Sequence, residues 1–213
     1  MTEPAVPAPA AAAPSPEDAA AASSRGLRPL LDAALSRAIA ALAHDLRNSL
    51  GVVAMQVEAI AARSSVPAGD LRAIHGHAGV AGEHIERLAD MTNALIAFAR
   101  GRTSSDLTVI VREAAALVPL RPVTVEQVTA ASVGVDPLLT RTAILEVLIL
   151  ALGSPAAPAF RILADASGGI VELTAGRALV PDESLEWVVQ FRKLGGHLDA
   201  TGDGLRLRFP PIA

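Results

Sequence analysis

The sequence contains no cysteine and no tyrosine, and its 213 residues include only four phenylalanines and one tryptophan. The missing thiols exclude disulfides, thiolate nucleophiles and cysteine-based zinc sites together. The scarcity of aromatics means that any core must be aliphatic. With 51% hydrophobic residues the material for one is present, and the abundance of Ala and Leu favours helices. A basic excess is also missing: 18 Lys and Arg against 22 Asp and Glu give a net charge of −4. Phosphate backbones call for a basic face, so nucleic acid is not an expected partner. No apolar run reaches the roughly 18 residues of a membrane span. The longest, "AILEVLILAL", is interrupted by Glu146. The opening "MTEPAVPAPAAAAPSPEDAAAASS" lacks the basic start of a signal peptide. These absences lead to the expectation of a cytoplasmic protein with no membrane partner.

What is present divides the chain into three parts. Residues 1–25 are rich in Pro and Ala, with Val6 the one larger apolar residue after Met1. Such a segment buries too little surface to offset its ordering entropy, so a disordered tail is expected. Residues 26–101 read as a helical hairpin. Leu31, Leu35, Ile39, Leu42, Leu46, Leu50, Val53, Val57 and Ile60 form one stripe at helical spacing. Pro29 suits a first helical turn. The helix ends near Arg63, where "SSVPAGD" turns the chain and Asp70 can cap the second helix. A second stripe runs through Leu71, Ile74, Ala78, Ala81, Ile85, Leu88, Thr92 and Leu95, and Gly101 stops that helix. A lone hairpin leaves both stripes half covered, and pairing two hairpins into a dimeric four-helix bundle buries them.

Residues 106–213 change pattern, with helices expected at 107–118, 137–152 and 182–194. Strands are expected at 122–128, 131–135, 159–164, 169–175, 196–200 and 204–209, with Ser105 or Asp106 as a cap at the start. Helices alternating with strands and Gly turns predict an α/β sandwich. The fold class is therefore an antiparallel helical hairpin followed by an α/β domain.

Within the first helix "HDLRNSL" places unusual chemistry. Taking His44 as zero at about 100° per residue, the apolar stripe centres on the opposite side of the helix. Arg37, Asn48, Gly51 and Met55 lie within about 40° of His44 on a face that is otherwise small and flat. The histidine therefore points away from the core. The bland reading is a solvated surface histidine, and its neighbours argue for more. Asn48 sits one turn along on the same face. Asp45 can approach the ring and fix its tautomer, making the other nitrogen a better nucleophile. Gly51 clears space, at a cost of up to about 1 kcal/mol relative to Ala in a helix. The other histidines carry no such company. His75 and His77 point to nearly opposite sides of their helix, His84 suits packing and His197 sits beside a Gly-Gly turn, so no metal site is expected.

"HDLRNSL" resembles the H-box of two-component histidine kinases, whose histidine is the phosphoacceptor in a dimeric helical hairpin. His44, Asp45 and Asn48 match that pattern residue by residue, while Ser49 stands where family members often have Pro, which implies a straighter helix. The resemblance covers about residues 27–210. It implies that the second domain is a degenerate form of the family's ATPase lobe. "VDPLLTRTAILEVLILALGS" is similar to the segment carrying the metal-binding asparagines, but those positions fall on Glu146 and Leu150. Leucine offers no oxygen to a hard cation. The strand "GGIVELTAGRAL" resembles the one leading to the adenine-reading aspartate, yet Thr174, Ala175 and Gly176 stand there. The stretch from Gly176 to Pro181 is too short for a glycine-rich lid, and "GDG" at 202–204 reads as a hairpin turn.

The resemblance thus implies a phosphoacceptor without an ATP site, a histidine phosphotransferase that shuttles a phosphoryl group between receiver-domain aspartates. His44 is then the nucleophile, Asp45 orients it, and Asn48 completes the catalytic set. Arg37, Arg47, Gly51 and Met55 form the partner-binding face, Arg47 lying to one side. No cofactor is expected, because the receiver brings its own Mg²⁺. The partners are response-regulator receivers and a second copy of the chain. Two rivals remain: a pseudokinase that dephosphorylates a receiver, with Asn48 positioning water, and a binding-only dimer that sequesters its partner.

Overall fold

The computed structural model describes residues 16–64, 71–100, 104–118, 123–166 and 168–211. Helix α1 runs over Pro16–Ser64 and α2 over Leu71–Arg100, and the two pack together as a hairpin. The expected loop caps at 65–70 and the stop at Gly101 lie outside the described residues. At 49 residues α1 is about 73 Å long. It begins inside the segment expected to be a tail, in keeping with the high helix propensity of alanine. Pro29 consequently lies within the helix, where it cannot donate to the preceding turn. The helix continues unbroken through Ser49.

The second part contains α3 (Leu107–Ala115), β1 (Thr124–Gln127), α4 (Pro137–Leu152), β2 (Ala159–Asp165), β3 (Gly168–Thr174), α5 (Glu186–Lys193), β4 (His197–Ala200) and β5 (Gly204–Phe209). Two aspartates start its first two helices by the same device. Asp106 accepts from Thr108 N and Asp136 from Leu138 N, each at 2.8 Å, and Pro137 fills the first position of α4. The strand expected at 131–135 is reduced to one bridge, Asp106 to Ser132. The helix expected from 182 begins four residues later, because Asp182 accepts from Ser184 N at 2.9 Å and holds a turn there.

The five strands form one sheet in the order β1-β2-β3-β5-β4, parallel only between β1 and β2. Its inner rows, Phe160–Leu173–Leu205 and Ile162–Val171–Leu207, are buried. Its outer face carries one row drawn from every strand: Glu126, Arg161, Glu172, Arg206 and Asp199. The signs alternate along this row, and Arg206 lies 2.6 Å from Glu172. A sheet with one charged face needs no second layer there.

The core does not respect the boundary between hairpin and sheet. Leu27, Leu31, Ala34, Leu35, Ala38 and Leu42 of α1 are buried in the same cluster as Leu139, Ala143, Leu145 and Leu148 of α4. In the upstream half of the α1 stripe, expected to be covered by a second copy, Leu31, Leu35 and Leu42 are therefore covered within the chain, while Ile39 stays exposed. Further along, Leu50, Val57, Leu71 and Ile85 remain exposed. Among the described residues, no helix is long and apolar enough to cross a membrane.

Candidate active site

His44 is exposed on α1, as are Arg37, Arg47, Asn48, Gly51 and Met55, while Asp45 is half-buried. The side opposite His44 carries the buried Leu35 and Leu42. The amide nitrogen Nδ2 of Asn48 lies 3.0 Å from Nε2 of His44. An amide NH₂ group only donates, so Nε2 accepts and the ring proton sits on Nδ1. The nitrogen that carries the ring's lone pair, here engaged by Asn48, thus faces one turn downstream along an open helix face. A Cβ added at Gly51 would meet nothing within 4 Å, so packing inside the chain does not require a glycine there. The face is left smooth where another molecule can approach.

Arg37 shares this face, but its guanidinium is engaged. Its Nε donates to Oε1 of Glu146 at 3.0 Å, and Nη2 contacts the same oxygen. Glu146 is buried in the middle of α4. Two more polar pairs cross the hairpin downstream of His44. The buried Ser49 hydroxyl lies 2.7 Å from Nδ1 of His84, and Gln56 Oε1 lies 2.5 Å from Nδ1 of His77. His84 thus binds Ser49 as well as packing between the helices.

Glu146 and Leu150 of α4 and the exit of β3 are the positions that the family resemblance aligns with a nucleotide site. Glu146 is committed to Arg37, and Leu150 is half-buried near the end of α4. The chain leaves β3 through Ala175, whose N–H donates to Asp203 O at 2.8 Å and whose carbonyl accepts from Ser154. Gly176 comes next with φ 69°, a left-handed conformation that suits glycine. Leu179 is buried, and its N–H donates to Gly204 O at 3.0 Å. The short connection to α5 is therefore a strap pinned to the β4–β5 turn. Among the described residues, no group of three or more His, Asp or Glu is arranged to hold a metal ion.

Sequence reasoning placed His44, Asp45 and Asn48 together but missed the pairing of Arg37 with Glu146. The signal was present, because a lone carboxylate in the apolar run "AILEVLILAL" must find a partner when that run is buried. Arg141, in the same helix, carried a similar signal.

No protein-family model matches the chain, and no curated protein matches it. Among solved structures, the chain is similar to a bacterial phosphotransferase, with 16% identity and a TM-score of 0.44, over 83% of this chain and 94% of that one. It is similar also to the histidine kinase AdeS of Acinetobacter baumannii, with 12% identity and a TM-score of 0.41, over 80% of this chain and 98% of that one. A third is a blue-light activated histidine kinase of Erythrobacter litoralis, with 18% identity and a TM-score of 0.37, over 73% of this chain and 62% of that one.

Proposed function

We infer that the chain is a histidine phosphotransferase of a cytoplasmic two-component phosphorelay, working without ATP. The observation that carries this reading is the exposed His44 with Nε2 as acceptor and Asn48 beside it at 3.0 Å. Nε2 attacks the phosphorus of a receiver's aspartyl phosphate. A P–N bond forms as the acyl P–O bond breaks, and the electron pair leaves on the receiver carboxylate. The proton stays on Nδ1, so the phosphorylated ring is cationic, and the neighbouring Asp45 carboxylate offsets that charge. A second receiver's carboxylate then takes the group by the reverse step. Mg²⁺ belongs to the receiver in both steps.

Two further features support the reading. Glu146 and Leu150 stand where a kinase lobe places metal-binding asparagines, and the strap at Ala175–Leu179 leaves out the adenine aspartate. The exposed Leu50, Val57, Leu71 and Ile85 offer a second copy an apolar surface along the hairpin. The experiment is to mix the chain with a panel of ³²P-labelled receivers and follow the label. Acid-labile, base-stable label on the chain supports the relay, and label lost only as inorganic phosphate supports the phosphatase alternative.

A further inference from the structure

We propose that Arg37 is a positioning residue, whose ion pair with Glu146 clamps the α/β lobe onto the His44-bearing helix so that a receiver meets one preformed surface. This rests on the relay reading above for its functional half and on the geometry alone for the clamp. Arg37 and His44 are seven residues apart, about two turns or 10.5 Å along the axis and on nearly the same azimuth. A guanidinium in that place is well situated to meet an anionic partner directly. Instead its Nε donates to Glu146 at 3.0 Å. The Glu146 side chain is only 6% exposed and Arg37 48%. A carboxylate so far buried needs its cation, whereas the arginine loses little water in providing it.

Around this pair α4 is fixed on several sides. Leu31, Leu35, Ala38 and Leu42 share its core cluster. Five residues before Glu146, roughly on the other side of the helix, Arg141 lies 2.6 Å from Glu113 of α3 and 5.2 Å from the ring centre of Phe98 of α2. A lobe that delivers a nucleotide's phosphate to a histidine must approach and withdraw. This one is attached to α1 through the buried α4 and to α2 through α3 and the Phe98–Arg141 contact, and Glu146 holds the α1 attachment. The upstream flank of His44 is therefore a standing wall.

The test uses the full chain, whose lack of cysteine lets spin labels be placed on the exposed Ala54 and Lys193 through Ala54→Cys and Lys193→Cys, diluted with unlabelled protein. Pulsed electron resonance then compares this background with Arg37→Glu, Glu146→Arg and the double swap. The expected result is one narrow hairpin-to-lobe distance in the parent, broad distributions in both single variants and a narrow one again in the swap. Receiver-to-His44 transfer should change in parallel. The single variants should raise the KM for receiver by about tenfold to a hundredfold with a smaller change in kcat, and the swap should recover it. Melting curves identify a variant that fails to fold, and the swap then carries the comparison. Narrow distances in folded single variants would overturn the clamp. Broad distances with unchanged KM would overturn the positioning role. Absence of transfer in the parent chain overturns the relay reading and that role with it, and the distances still distinguish this from failure of the clamp.

Discussion

Arg141 is fully buried with Nη1 2.6 Å from Oε2 of Glu113, yet none of its guanidinium nitrogens forms an aligned hydrogen bond with a described residue. The pair is held by charge and by the Phe98 ring 5.2 Å away rather than by a forked contact. Such an arrangement is costly to break and cheap to replace. Glu113→Gln leaves an uncompensated buried cation and should cost about 3–5 kcal/mol in urea unfolding. Replacing both, with Arg141→Met and Glu113→Leu, should recover most of that loss. A single variant within about 0.5 kcal/mol of the parent would show that the carboxylate does not hold the guanidinium in place.

The exposed apolar surface of the hairpin gives a second expectation. Leu50 is 58% and Ile85 54% exposed within the chain, so Leu50→Glu and Ile85→Glu remove no internal packing of consequence. Each should change the unfolding free energy of the single chain by no more than about 0.5 kcal/mol. If a second copy covers these residues, light scattering at micromolar concentration should report a dimer for the parent and a monomer for the double variant. A parent that is already monomeric would rule out the four-helix bundle.

Nucleotide binding is the third. Calorimetry with Mg-ATP at millimolar concentration should give no heat beyond dilution, because Glu146 is paired with Arg37 and Leu150 carries no oxygen in its side chain. The strap from Ala175 to Leu179 also leaves the β3 exit closed against the β4–β5 turn. Labelling of His44 by ATP would contradict this directly.

The sequence made some of this legible for physical reasons that can be named. Helix α4 was readable to the residue, since Asp136 and Pro137 begin it and Gly153 stands just past its end. The strands β2 and β5 were readable because alternating burial leaves a period of two, and β3, buried through most of its length, because a short apolar run follows a Gly pair. The partner of the α1 stripe was not. Periodicity states that a face is covered but not by what, and Leu31, Leu35 and Leu42 are covered within the same chain, in one core cluster with α4. The clue lay in α4 itself, apolar nearly all round, which marks a helix packed on more than one side. The charges inside it, Arg141 and Glu146, marked where those contacts would be made. At the candidate site, spacing put His44 and Asn48 on one face, but only the folded chain brings Arg37 onto Glu146.

The fourth prediction separates attack by imidazole from attack by water. His44→Gln removes an exposed side chain opposite the buried stripe, so the melting temperature should hardly move. Transfer from a phosphorylated receiver should disappear, since glutamine cannot form the P–N bond. Asn48→Ala removes the donor 3.0 Å from Nε2. In a relay this frees the attacking lone pair while loosening the ring, two effects of opposite sign, so the rate should change by less than about tenfold. In a phosphatase the same variant loses the group that orients water, so most activity should vanish and no phosphohistidine should ever be seen. Undiminished transfer by His44→Gln would falsify the assignment of His44, whatever Asn48→Ala does.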